Sequence, residues 1–174
     1  LFPKIEFIDI DLFIESDDNN ILEIGESIEL FTILSNNPDW GYADDVIGIL
    51  EVDESHSNEH IIINQNTSMF GSASPGDGLI NWEPFLVEFG DNINPGDIKF
   101  NLNIISNTDF TNHIQNEQIL EFVIPISEPV YTPGDVNDDD IINILDIVQI
   151  VNIILDNNPP NINMNAGDLN NDDI

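Results

Sequence analysis

From Lys4 to Ile126 the apolar residues arrive in short bursts, each cut off by turn chemistry, and this rhythm limits what the chain can fold into. The bursts are Ile5–Phe13, Ser27–Leu34, Asp45–Val52, His60–Ile63, Trp82–Phe89, Asp97–Ile105 and Glu117–Ile126. Between them lie Asn36-Asn37-Pro38-Asp39, Ser74-Pro75-Gly76-Asp77-Gly78 and Asn94-Pro95-Gly96-Asp97. In such stretches proline presets φ and glycine supplies a positive φ, so the chain turns there. Seven or eight strands follow. No 10–15-residue helical pattern separates them, which favours an antiparallel β-sandwich over βαβ units.

Ile, Leu, Val and Phe make up 62 of the 174 residues, enough to bury a core despite a net charge of -32. Two Lys face 34 Asp and Glu, with no Arg. Such a surface repels phosphate backbones and anionic lipid, so no nucleic-acid partner is expected. No run reaches the 18 apolar residues of a membrane span, so no membrane insertion is expected either. Self-repulsion of this size opposes compaction and makes a bound divalent cation a natural remedy. The chain begins at Leu1 and breaks off inside a motif, and it reads as a piece of a longer protein.

After a proline-rich linker at 127–134 the pattern changes. Asn143 to Leu155 carries polar groups at Asp146, Gln149 and Asn152, with Asp156 beyond: one polar stripe on a helix otherwise made of Ile, Val and Leu. A face that wide and apolar calls for a packing partner. Asn157-Asn158-Pro159-Pro160 then ends the helix.

An internal repeat frames that helix. Gly134-Asp135-Val136-Asn137-Asp138-Asp139-Asp140-Ile141 recurs 33 residues later as Gly167-Asp168-Leu169-Asn170-Asn171-Asp172-Asp173-Ile174. In the first copy, oxygen-bearing side chains fall at loop positions 1, 3, 5, 9 and 12: Asp135, Asn137, Asp139, Asn143 and Asp146. The carbonyl of Ile141 stands at position 7. This is the spacing of an EF-hand calcium loop, in which alternate side chains of a tight curl supply the six to eight hard oxygens Ca2+ requires. Position 6, ordinarily Gly, is Asp140 here and Asp173 in the second copy, a residue type that reaches positive φ at modest cost.

The D-x-N-x-D-x-x-I-N-x-x-D string, its helix and the second loop resemble a type I dockerin, the calcium-binding module that docks extracellular enzymes onto cohesin receptors. The resemblance covers residues 134–174. It implies one Ca2+ site from Asp135, Asn137, Asp139, Ile141 and Asp146, and a second begun by Asp168, Asn170, Asp172 and Ile174. Two departures stand out: Asp at position 6 in both loops, and a second loop cut before its ninth and twelfth ligands. Ile144 and Leu145, where dockerins often carry a hydroxyl pair, are apolar. Residues 1–126 resemble immunoglobulin-like accessory domains of secreted bacterial peptidases, through Asp18-Asn19-Asn20-Ile21-Leu22-Glu23-Ile24-Gly25-Glu26 and Trp40-Gly41-Tyr42-Ala43-Asp44-Asp45-Val46. Those domains are non-catalytic. A further Ca2+ site is conceivable from Asp17, Asp18, Asn20 and Glu26, joined by Asp9 or Asp11, against a plain solvated hairpin.

The expectation is therefore an immunoglobulin-like β-sandwich at 1–126 followed by a small α-helical EF-hand-like module at 135–174. The fragment would be a non-catalytic, secreted anchor whose partner is a cohesin-like or other scaffold protein, or its own β-sandwich as a calcium-dependent cap. The alternative is a hydrolase fragment active on polysaccharide or peptide. His56-Ser57-Asn58-Glu59-His60 matches the H-x-x-E-H zinc signature, but its surroundings read as a turn rather than a helix. Of the aromatics that could stack on a sugar, Trp82 opens an apolar strand and is expected in the core, leaving Trp40, beside Tyr42, as the exposed candidate.

Overall fold

The computed structural model describes residues 1–14, 21–56, 60–90, 92–108, 114–128, 131–155 and 162–167. The chain divides into two compact units, Leu1–Glu128 and Pro129–Ile174. The first is mainly β. Its strands are β1 (Ile5–Ile14), β2 (Ser27–Asn36), β3 (Ala43–Val52), β4 (Ile61–Gln65), β5 (Thr67–Ala73), β6 (Gly78–Ile80), β7 (Phe85–Phe89), β8 (Gly96–Asn107) and β9 (Gln115–Ile126). One antiparallel sheet runs β1-β2-β7-β4, with β6 also paired to β2, and the other runs β5-β3-β8-β9. Two antiparallel sheets around one core are consistent with a β-sandwich.

Alternation builds that core. Along β2, Ile28, Leu30, Thr32 and Leu34 are buried, while along β8 the buried residues are Ile98, Phe100, Leu102 and Ile104. Residues at every second position share a sheet face, so each strand gives one row to the interior. Aromatic rings then tie the two sheets together. Phe7 of β1 stacks on Phe122 of β9 at 5.3 Å, Phe122 on Phe100 at 5.8 Å, and Phe100 meets Phe89 of β7 edge-on at 6.4 Å.

The expected turns have local causes. Gly76 sits at φ 91 after Pro75, as a type II turn requires, and the Asp77 carboxylate accepts the Ser74 N–H at 3.0 Å. Two strands escaped the sequence reading. β5 is rich in small residues and contains Gly71, and β6 has three residues; both exist because neighbours offer edges, β3 to one and β2 to the other. Trp82 corrects another expectation. It lies ahead of β7, outside any strand, and is 63% exposed. Ser127, assigned above to the linker, closes the first unit instead: it exchanges backbone hydrogen bonds with Leu22 and Ile24.

The second unit carries α1 (Ile144–Ile154) and the four-residue α2 (Met164–Gly167). Its paired EF-hand architecture is not seen, since the second loop, with Asp168, Asn170, Asp172 and Ile174, lies outside the described residues.

Phe100, fully buried at the centre of the ring series, tests this account of the core. Phe100→Ala should lower the unfolding free energy by about 3–5 kcal/mol in a urea titration. Ile119→Ala, at a position 66% exposed, should change it by less than about 0.5 kcal/mol.

Candidate metal centre

Residues 134–146 form a tight curl, and the backbone shows how. Asp138 and Asp140 adopt left-handed conformations, at φ 56 and 64, and Gly134 enters the loop at φ 97. Asp140 thus takes the position-6 geometry anticipated from its place in the repeat. The curl is fastened by two carboxylates, both only 2% exposed. Asp135 accepts the backbone N–H groups of Asp139 at 3.2 Å and Asp140 at 2.8 Å. Asp146, from the first turn of α1, accepts those of Val136 at 2.9 Å, Asn137 at 3.3 Å and Asn143 at 2.7 Å.

The helix begins where these bonds end. Asn143 is its N-cap: its side-chain oxygen accepts the Leu145 N–H at 2.7 Å, and Asp146 returns the bond to the Asn143 N–H, closing a capping box. The segment around Val136 is held from the other side, where Gly134 donates to the Ala166 carbonyl at 2.7 Å and Asn163 to that of Val136 at 3.0 Å. Val136 and Ala166 are buried. The two halves of the repeat region therefore meet backbone to backbone.

Of the expected ligands, the structure gathers Asp135, Asn137, Asp139, Ile141, Asn143 and Asp146 into one loop. Their oxygens have different duties. Asp139 accepts the Ile141 N–H at 3.0 Å and the Asn137 side-chain amide at 2.8 Å. The Ile141 carbonyl accepts from the Asn143 side chain at 2.9 Å. The Asn143 side-chain oxygen accepts the N–H of Leu145 at the helix cap. The Oδ1 of Asn137 is shielded from solvent and has no hydrogen-bond partner. Among the described residues no three His, Cys, Asp and Glu side chains converge as a metal cluster. What the loop offers is a mixed set: carboxylates, an orphaned amide oxygen and a main-chain carbonyl, all hard oxygens, and such a set suits Ca2+ rather than a thiophilic or imidazole-seeking metal.

The charge of the loop is one-sided. Asp135, Asp138, Asp139, Asp140 and Asp146 crowd into twelve residues, and the chain's two lysines, Lys4 and Lys99, belong to the first unit. Burying carboxylates without a counter-charge is costly unless donors surround them. Backbone amides, that of Asn143 foremost, hold the Asp146 carboxyl below its ordinary value, against the opposing pull of desolvation.

The helix exposes much of its apolar side. Asp146 is buried, and Gln149, Ile150, Asn152 and Ile153 are partly covered. Ile144, Ile147, Val148, Val151 and Ile154 are 46–74% exposed. The loop's N–H groups draw Asp146 inward, and these five apolar residues stay exposed.

The other candidates fare differently. Asp17, Asp18 and Asn20 lie outside the described residues; Glu26, buried, accepts the Glu23 N–H at 2.7 Å as part of a turn, and Asp9 and Asp11 sit exposed on β1. Glu59 of the H-x-x-E-H string is likewise outside them, while His56 sits in a turn after β3, with its Nδ1 3.0 Å from the Ser55 hydroxyl. That hydroxyl also donates to Asp53. Together with the Ser55 N–H, the Asn101 amide and Lys99, this bond keeps the Asp53 carboxyl far below the carboxylate range.

No protein-family model and no curated protein matches the chain. Among solved structures, a family 123 glycoside hydrolase from Clostridium perfringens aligns over 67% of this chain at 11% identity and a TM-score of 0.35. The chain spans 24% of that structure's length. A likeness at this level carries no argument about activity.

Two outcomes follow from the loop. The folded-state pKa of Asp146 lies below its unfolded value, so its contribution to stability is complete above the ordinary Asp value of about 3.9 and is lost as pH falls through the lowered one. Helical circular dichroism should therefore fall in acid. In Asp146→Asn, which cannot ionise, that acid-dependent step should shrink. Asp140→Val should destabilise the second unit by roughly 1–2 kcal/mol in thermal melts, because a β-branched residue tolerates a left-handed φ poorly, whereas Asp140→Gly should leave it as stable or more so.

Proposed function

We propose that the second unit is a calcium-dependent anchoring module of dockerin type, and that the chain is a non-catalytic part of a secreted enzyme which it tethers to a scaffold or surface protein. The observation that carries this reading is the pair of nearly inaccessible carboxylates, Asp135 and Asp146, in one loop with no lysine or arginine in their unit. Asp135, Asn137, Asp139, Asp146 and the Ile141 carbonyl would hold the ion, and the ion would supply the missing positive charge. The resemblance to type I dockerins supports the same set, with Asp168, Asn170, Asp172 and Ile174 beginning a second site of the same kind. An immunoglobulin-like identity for the first unit rests on its two antiparallel sheets and on resemblance.

The apolar side of α1 supplies the docking surface. Leu145, Val148 and Val151 lie at helical spacing, exposed alongside Ile144, Ile147 and Ile154. Contiguous exposure of this kind marks interaction sites on soluble proteins. The acidic loop at its amino end would favour a partner whose groove is apolar with basic residues at the rim.

A calcium titration of the whole chain checks the reading. An ion that binds only the folded loop stabilises it by RT ln(1 + [Ca2+]/Kd), about 2.7 kcal/mol at a hundredfold excess over Kd. The helical signal should therefore melt at higher temperature with Ca2+ than with EDTA. Asp135→Ala should abolish the difference while leaving the β signal intact. Melting curves that superimpose with and without chelator would refute the metal and, with it, the anchoring mechanism.

A further inference from the structure

The first unit holds an aromatic side chain whose placement the core does not explain. Trp82 is 63% exposed, yet its segment is pinned at three points to β5: its N–H donates to the Met69 carbonyl at 2.8 Å, the Ser68 hydroxyl donates to the Glu83 carbonyl at 2.7 Å, and the Glu83 N–H donates back to that hydroxyl at 3.2 Å. The indole lies against Gly71. A Cβ added there would sit 3.1 Å from ring Cζ2 and 3.6 Å from Nε1, so only glycine lets the ring rest on the strand. Gly71 also has φ 83, a conformation other residues adopt with strain.

The backbone opposite is irregular as well. The β3–β5 register shifts between Ala43 and Val46 and again between Val46 and Ile47, with Val46 paired to Gly71. Inside that bulge Asp45 is held at φ 47. Its N–H donates to the Ser72 hydroxyl at 3.2 Å, which in turn donates to the buried Asp44 carboxylate at 2.7 Å. The Asp45 carboxylate is exposed and makes no hydrogen bond or ion pair among the described residues, and neither does the Trp82 indole N–H. Bulges and strained non-glycine residues re-aim side chains and gather at binding sites.

We propose that Trp82, together with Asp45 and Ser72, the residues beside the Val46–Gly71 pair on which its ring rests, is a stacking subsite for one neutral pyranose ring of a glycan chain. The negative π-face of a fixed indole accepts the C–H face of a sugar ring. A free carboxylate and a free indole N–H complement sugar hydroxyls, which both donate and accept. The net charge of -32 disfavours phosphorylated or sulfated ligands. A purely apolar partner would leave the Asp45 carboxylate desolvated and unpaired, which disfavours a protein surface at this spot. This subsite is independent of the calcium loop.

Fluorescence decides the matter. The chain has two tryptophans, so Trp40→Phe leaves Trp82 as the sole indole. Soluble hexasaccharides of β-1,4-linked glucose, β-1,4-linked N-acetylglucosamine and α-1,4-linked glucose, and a proline-rich decapeptide as the competing class, would be titrated into the full chain. At least one sugar should give a saturable change, with a Kd of about 0.1–1 mM for a single platform. By calorimetry Trp82→Ala should weaken binding at least about tenfold. Trp82→Tyr, which keeps an aromatic face, should bind within a few-fold of the parent, and Asp45→Asn, whose residue type still tolerates positive φ, should weaken binding several-fold. No saturable response to any sugar, undiminished binding by Trp82→Ala, or a response to the peptide alone would each overturn the proposal.

Discussion

The structure depends on how a chain with 34 carboxylates and two lysines keeps its negative charge satisfied. Lys99 reaches two of them, Glu121 at 3.1 Å and Asp53 at 3.7 Å, and Lys4 reaches Glu6 at 2.7 Å. Among the described residues, several others are met by neutral donors. Glu26 takes the N–H of Glu23, Asp77 that of Ser74, Asp44 the hydroxyl of Ser72, and Asp53 the hydroxyl of Ser55. Acidic residues in this protein act as organisers of turns because backbone N–H groups are the donors within reach.

The same economy explains why the two units differ. In the first, apolar rows and a run of phenylalanine rings fill the interior, and its described buried acids, Glu23, Glu26 and Asp44, are few beside them. The second is small, and its described buried residues are Asp135, Val136, Asp146 and Ala166. Two of these four are acids. A unit of this size with charged groups in its interior has little apolar burial to stabilise it, which is the situation in which a bound cation contributes most to folding. The exposed apolar residues of α1 belong to the same logic, since the helix turns Asp146 toward the loop N–H groups.

Much of this was legible in the residues. The bursts and turns at Pro75-Gly76 and Pro95-Gly96 located most strands to within a few residues, because turn chemistry is local. The loop spacing placed Asp135 and Asp146 together, and Asp at position 6 announced a left-handed φ that the backbone shows. The helix expected from Asn143 to Leu155 forms from Ile144 to Ile154. β5 and β6 were missed for a physical reason: a strand of small residues and one of three residues have no signature until a partner edge is beside them. Trp82 was misread because an aromatic residue ahead of an apolar run gives no hint that glycine on another strand offers it an exposed seat.

The amino-acid sequence alone determined the mainly β character of the first 126 residues, the break near Pro129, and the oxygen-rich curl that follows it. Alternation, proline, glycine and ligand spacing all act over a few residues, and so they can be read without a fold. Only the tertiary structure decided how nine described strands divide into two sheets, that Asn143 and Asp146 close a capping box, and which residues of α1 meet water. Those outcomes depend on donors and surfaces brought from distant parts of the chain, and no local pattern encodes them.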